Sequence, residues 1–452
     1  MGKAARTKVP REAIAAFEPP ASRPDPVALL EEQAVSRVPE LVPIRYGRML
    51  VSPFAFFRGA ALIMASDLSS TPTSGLTVQA CGDAHMSNFG AFASPDRSLV
   101  FDVNDFDETL PGPWEWDVKR LAASLAIAGR ERDFTVKQRA TVLLATGAGY
   151  RTEMSALAGM RDLDVWYRRT DVRSILAELK ANGARRERKR TKAAVAKART
   201  RDNLQAFSKL THEVDGQPRI ISDPPLAVPI EELVAGMPWE ELAEGLHELL
   251  VKYRRSLQPD RRHLLEQFRL VHIARKVVGV GSVGTRCWIA LLLGRDNDDP
   301  LFLQVKEAQE SVLARFVGKG SHANEGERVV AGQRLTQAAS DIFLGWIRAE
   351  GIDGQARDFY FRQLRDWKGS ADTETMMPRG MTEYGRVCGA MLARGHARSG
   401  DRIAIASYLG TSKAFERALL TFAEAYVDQN ERDYQSLRSA VDQGRVTAQF
   451  GL

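Results

Sequence analysis

Asp83, Asn88, Asp102, Asp105 and Asp107 lie in one stretch, CGDAHMSNFGAFASPDRSLVFDVNDFDETLPGPWEWDVKR, residues 81 to 120. Asp83 and Asn88 stand five residues apart in a loop of small residues, and the strand-like run Leu99-Val100-Phe101 leads into Asp102, Asp105 and Asp107. These types at this spacing suit phosphoryl transfer. An Asp on a loop can orient and deprotonate an attacking hydroxyl, an Asn five residues on can hold one magnesium, and an Asp at the end of the next hairpin strand can hold the magnesium that bridges the phosphates. Without a ligand, the same stretch reads as a surface hairpin with an acidic tip.

Several elements must position these groups. Leu76 to Ala80 reads as the short strand that delivers Asp83, and the apolar spacing after Pro53 predicts a helix capped by Ser52. Arg45, Arg48 and Arg58 form a cationic set upstream of the loop. Such a set can hold a phosphate or carboxylate, or pair with nearby acids to seat the helix. Pro113-Trp114-Glu115-Trp116-Asp117 opens a helix through Ala128. Further on, Val271 to Gly279 reads as a strand and Gly279-Val280-Gly281-Ser282-Val283-Gly284 fits GxGxxG. A Rossmann fingerprint needs a helix directly after its glycines, but Cys287 to Leu293 is short, apolar and turn-bounded, which predicts a second strand. A third, Leu301 to Val305, ends at Lys306; a helix from Glu325 to Ala339 and strands at Asp341 to Arg348 and Asp358 to Leu364 follow. Met381 to Arg398 carries its apolar residues on one helical face, and a last helix is capped by Ser412.

The loop Cys81-Gly82-Asp83-Ala84-His85-Met86-Ser87-Asn88 resembles the catalytic loop of the aminoglycoside and choline kinase type, with Cys81 in place of the leading His. The whole chain resembles a large uncharacterised bacterial family, domain of unknown function 2252. The kinase resemblance implies Asp83 as catalytic base with His85 beside it, and Asn88 as a metal ligand. The second metal ligand is Asp105 by the Ile-x-Asp-Phe-Gly pattern, with Asp102 as the other candidate. The amides around Gly279, Gly281, Ser282 and Gly284 would cover the phosphates, Lys306 would pair with the α and β phosphates, and Glu327 would be its acidic partner. Asp117 would brace the catalytic loop, Phe361 to Trp367 would form the hinge, and Leu392-Ala393-Arg394-Gly395-His396 resembles the helix preceding the loop in small-molecule kinases. The implied fold is α+β: a two-lobed protein-kinase-like fold with a mostly helical C-lobe and a five-stranded antiparallel N-lobe sheet, using ATP and magnesium. The motifs come in the wrong order for an ordinary kinase. A circular permutation, opened between the helix at 381 to 398 and the strand at 76 to 80, reconciles them.

A chain of 452 residues, 44% hydrophobic and 27% charged, is globular and long enough for two or three domain-sized units. The expected division is an arm at 1 to 44, a catalytic region at 45 to 260, a nucleotide-binding region at 261 to 370 and completing helices at 371 to 452. No apolar run approaches the roughly 18 residues that span a bilayer, and the first residues lack a signal-peptide core, so a cytoplasmic protein without membrane contact is expected. Cys81, Cys287 and Cys388 imply neither disulfides nor a zinc site. Net charge is only +6, but Lys180 to Arg201 holds ten Lys or Arg against the single Glu187. That run is a solvated face or a landing strip for an anionic substrate or nucleic acid; no interleaved aromatic is there to stack on a base. The function expected is ATP- and magnesium-dependent transfer to a hydroxyl of a small-molecule acceptor, since no Ala-Pro-Glu-bounded activation loop follows the hairpin. Nucleotidyl transfer on the same fold and a non-enzymatic nucleotide-sensing or nucleic-acid-binding protein are the alternatives.

Overall fold

The computed structural model describes residues 1–181, 185–234, 236, 239–364 and 366–452. Its centre is the helix Trp114–Glu131, buried on every side from Trp114 to Gly129. Its alanines let neighbours approach, and the helices Val136–Ala158, Pro378–Ser399 and Ala414–Asp442 pack around it. Glycines set the closest of these approaches. A Cβ on Gly389 would sit 2.3 Å from the Thr146 carbonyl oxygen, and one on Gly149 2.2 Å from that of Arg386. Gly389→Ala therefore forces the two helices apart and is expected to cost about 1–3 kcal/mol, read as a lower midpoint in thermal unfolding. A variant as stable as the parent would contradict this packing.

Around the acidic stretch lie β1 (Thr77–Ala80), β2 (Phe89–Ala93), β3 (Leu99–Val103) and β4 (Leu110–Pro113). β1 pairs antiparallel with β4, and β2 with β3, so the loop 81–88 and the turn 104–109 emerge side by side. A small hairpin, β5 (Thr211–Val214) and β6 (Gln217–Ile220), precedes the main sheet. That sheet contains β7 (Ala227–Pro229), β8 (Arg269–Lys276), β9 (Cys287–Leu293), β10 (Pro300–Ala308), β11 (Gly345–Glu350) and β12 (Ala356–Gln363), in the order β11-β12-β10-β9-β8-β7, all antiparallel. β13 (Gly369–Ser370) joins β2.

The chain is thus α+β with several antiparallel sheets, but its main sheet has six strands where five were expected. The extra strand is β7, a short strand that ends in Pro229. At the sheet edge Pro229 gives up no ladder bond that an inner strand would need. Cys287 to Leu293 reads as one apolar run because both faces of the sheet are covered. Ile289, Leu291 and Leu293 meet Ala206 and Ile220 on one side, while Ala290 and Leu292 meet Leu246, Leu250 and Tyr253 on the other. Ile230, Leu246, Leu250, Tyr253 and Leu257 pack with the sheet.

The first residues lie as an arm over the body: Ile14 and Leu30 are fully buried, and Val38 and Leu41 pack on Val283 of the glycine-rich turn. The basic run forms the end of the helix Val172–Ala181 and the helix Arg185–Arg199, its residues 182–184 lying outside those described. The three cysteines are free and buried. Among the described residues no helix is long and apolar enough to cross a membrane.

Candidate active site

The loop after β1 is held from three directions by one stripe of the central helix. Asp117 accepts the amide protons of Cys81 (2.6 Å) and Gly82 (2.9 Å), and Ser124 Oγ accepts that of Met86 (2.9 Å). Between them Arg120 Nε donates to Asp83 Oδ1 at 2.5 Å while its Nη2 is anchored on the Phe57 carbonyl. Positions 117, 120 and 124 share a helix face by the i, i+3, i+7 rule. Asp117 is itself positioned: His396 Nε2 lies 3.1 Å from its Oδ2, and the Tyr150 hydroxyl lies 2.8 Å from His396 Nδ1. Gly82 takes φ +82, and a Cβ there would meet the Glu108 carbonyl at 2.3 Å, so the loop tolerates only glycine at this point.

Asn88 folds back on the loop, its Nδ2 donating to the Asp83 carbonyl at 2.7 Å, which leaves the amide oxygen as the atom free to take a ligand. His85 Nδ1 accepts the Ser87 amide, and its Nε2 lies 3.8 Å from Asp83 Oδ2. Burial, reinforced by Arg58 and Arg120, holds the imidazole well below its usual range, so His85 is neutral and serves as a donor rather than a proton acceptor near pH 7. Burial pushes the Asp83 carboxyl up to about 6 against the pull of Arg120.

Facing this loop is Lys306 on β10, 2% exposed, opposite Cys287 on one side and Tyr360 on the other. Its ammonium bonds Asp107 closely and lies 3.5 Å from Asp105 Oδ1. The Tyr360 hydroxyl also donates to Asp107, at 2.5 Å. Burial alone would raise the Asp105 carboxyl, but Lys306 and Arg362 outweigh it and hold the group below the usual carboxylate range. Glu327 does not reach this lysine; it points to His322, 3.9 Å away. One step round the helix Glu325–Thr336, Arg328 turns inward and donates to the carbonyls of Asp107 and Thr109. That helix therefore grips the acidic hairpin by its backbone, and Asp107, which sequence reasoning left unassigned, is the acid nearest Lys306.

Asp102 is not brought into the cleft. β3 runs on to Val103, so alternation puts Phe101 and Val103 in the core and turns Asp102 toward Arg394 and Arg398 of the helix Pro378–Ser399. Burial lifts its carboxyl to about 6, opposed by the Val103 amide and those two arginines. Asp105 lies past the strand end, in the turn, where it can face the cleft.

The glycine-rich turn closes the top. Arg48 Nη1 donates to the Gly279 carbonyl (2.6 Å), Arg37 Nη1 to that of Val283 (2.5 Å), and the Val38 amide to that of Gly284 (2.8 Å). With its carbonyls tied outward, the turn keeps amides in reserve: among the described residues those of Gly281 and Ser282 donate to no protein acceptor. Gly279, Gly281 and Ser282, with Asp83, His85, Asn88, Asp105 and Asp107, line one cleft of about 470 Å³; Gly284 is not part of its lining and packs on Arg37.

Arg58 enters the same cleft, its buried Nε without a hydrogen-bond partner, and neither it nor Arg45 or Arg48 pairs with an acid among the described residues. Burial lowers the Arg58 pKa, while Asp83 and Asp105 are among the acids whose fields oppose that fall. A guanidinium held this way keeps donors that can meet an anion. Among the described residues no three His, Cys, Asp or Glu side chains gather into a metal cage. Asn88, Asp105 and Asp107 instead bring hard oxygens to the same cleft. This suits magnesium, which keeps several waters and takes one or two carboxylates together with substrate phosphates.

Cation, glycine turn, paired acids and looped Asp and Asn thus meet in a polar cleft of an α+β protein. The family profile described as "Uncharacterized protein conserved in bacteria", domain of unknown function 2252, matches residues 37–440, and the chain belongs to that family. No curated protein and no solved structure matches it.

Proposed function

We propose that this chain is an ATP- and magnesium-dependent phosphotransferase of circularly permuted, protein-kinase-like architecture, acting on a hydroxyl of a small acceptor. One observation carries this reading: Lys306 is 199 residues from Asp107 in sequence yet bonds it, and Asp107 lines the cleft that also presents Asp83 and Asn88. In that arrangement Asp83, fixed by Arg120, takes the proton of the acceptor hydroxyl as its oxygen attacks the terminal phosphorus. The bond to the bridging oxygen breaks, the phosphoryl group passes to the acceptor, and the pair from the broken bond leaves on ADP. Lys306 and the free amides of Gly281 and Ser282 hold the phosphate oxygens; Asn88 and Asp105, with Asp107 beside them, would hold magnesium, which would supply positive charge to those oxygens. Arg58 adds a positive charge beside Asp83, where transferred phosphate and acceptor meet.

Lys306→Ala is expected to weaken ATP binding in the presence of magnesium by more than about tenfold, the loss of one charge-assisted contact. Lys189→Ala, on the exposed face of the helix Arg185–Arg199, should change nothing. Equal affinities in calorimetric titration would remove the nucleotide-site assignment. Mass spectrometry of a cell extract incubated with the protein and γ-labelled ATP identifies both acceptor and transferred group. A label on ATP's α-phosphate that passes to the acceptor instead would mark nucleotidyl transfer.

A further inference from the structure

A second concave site lies on the other side of the acidic hairpin. Asn104 lines it, one residue before Asp105, which lines the cleft. Its other polar walls come from three separate parts of the chain: Lys197 and Arg201 at the end of the basic run, Gln205 and Lys209 on the helix Asn203–Leu210, and Lys368 beside β13. The cavity measures about 550 Å³, within the size range of small-molecule sites.

Its charge is one-sided. No Asp or Glu lines it, and among the described residues none of the four cations forms an ion pair. The segments that carry them are tied together, so the cluster is built rather than incidental. The Trp367 amide donates to the Arg201 carbonyl (2.9 Å), Arg201 Nη1 donates to the Lys368 carbonyl (3.4 Å), and Gly369 packs against Ala198. Holding like charges together costs free energy that only an anion or solvent relieves. Burial, with Arg362 next, brings the Lys368 ammonium down to about 7, although Asp341 and Asp105 pull the other way. Arg362, bonded to the carbonyl of Asn104 and to Gln304, lines a neighbouring pocket that shares Asn104 and Lys368.

We infer that this pocket is a binding site for a small molecule carrying more than one phosphate, held by Lys197, Arg201, Lys209 and Lys368. A concave site with a single apolar lining residue, Leu364, and no aromatic favours phosphates over a stacked base. A nucleic acid would use the open face of the basic helix, where Lys189 stands exposed, as much as the pocket. The inference does not depend on the phosphotransferase reading, since no residue of the pocket belongs to the cleft.

The test uses the full chain and inorganic tripolyphosphate as probe, titrated by calorimetry at low and physiological salt. Arg201→Gln and Lys368→Gln should each weaken binding by about tenfold or more, and the double variant further. Lys189→Gln should leave affinity unchanged, whereas Arg58→Gln, in the cleft, and Lys306→Ala, bonded to acids that line it, should weaken only binding at the cleft and leave the pocket's binding in place. Unchanged binding in the folded double variant, with folding checked by circular dichroism, overturns the inference. So does loss confined to Arg58→Gln and Lys306→Ala, which returns the probe to the cleft. Equal loss in Lys189→Gln and the pocket variants, with tighter salt-sensitive binding of an RNA oligonucleotide, replaces the pocket with a diffuse nucleic-acid face.

Discussion

Asp105→Asn is expected to abolish magnesium-dependent nucleotide binding, weakening ATP titrated with magnesium by more than about 100-fold while leaving the weaker metal-free binding in place. The magnitude follows from the ligand's position: even groups that only support a metal ligand are worth about 10–100-fold in metal affinity. Asp105 sits in the turn past β3, held ionised beside Lys306 and facing the cleft. Asp102→Asn is the control, because Asp102 faces Arg394 and Arg398 instead. Asp107→Asn separates two readings of the pair. If it alone removes the magnesium dependence while Asp105→Asn binds like the parent, Asp107 is the ligand and Asp105 only tunes Lys306.

Asp83→Asn should differ in kind. A base acts on the acceptor and contributes in the transition state, so ATP binding should survive while kcat falls about 10²- to 10⁴-fold. The pH profile gives a second readout. Burial raises the Asp83 carboxyl to about 6, and the base works only when deprotonated. In the parent kcat/KM should therefore climb as pH rises through about 6, and the residual activity of Asp83→Asn should lack that limb. Parent-like turnover in Asp83→Asn would end the assignment of the base, and a parent that turns over ATP with no extract fraction would end the enzyme reading.

Much of this site was legible in the residues, for reasons that differ from one to the next. The glycine-rich turn could be placed on a hairpin because Cys287 to Leu293 is too short and apolar for a Rossmann helix, and β9 is what forms there. Asp117 could be assigned to the loop because its helix entry, Pro113 to Asp117, resembles the one that braces the loop in phosphotransferases. Arg120 lies one turn later on that helix, yet among so many arginines its side chain carried no mark of its own. Asp107 was obscured by local spacing: its partner Lys306 is distant in sequence, and the resemblance pointed to a glutamate on a helix. Glu327 failed by a single residue, since a step of one turns the side chain about 100° round a helix and Arg328 takes the inward place. Asp102 failed because the strand ended one residue later than the apolar run implied. The role of the first forty residues was hidden because their contacts, Val38 to Gly284 and Arg37 to Val283, join segments whose sequences show no shared pattern.

The tie between Asp117 and His396 spans 279 residues, which has a bearing on how the chain is made. At about 5–20 residues per second on the ribosome, roughly 15–60 s separate the two side chains as they emerge. Throughout that interval the loop, the central helix and Tyr150 exist without the helix Pro378–Ser399 that covers them. A nascent chain halted before residue 378 presents bare apolar surface and an unpaired buried acid. Such fragments should be drawn to chaperones and cleared by proteases, so premature termination before the helix Pro378–Ser399 would remove the protein rather than shorten it.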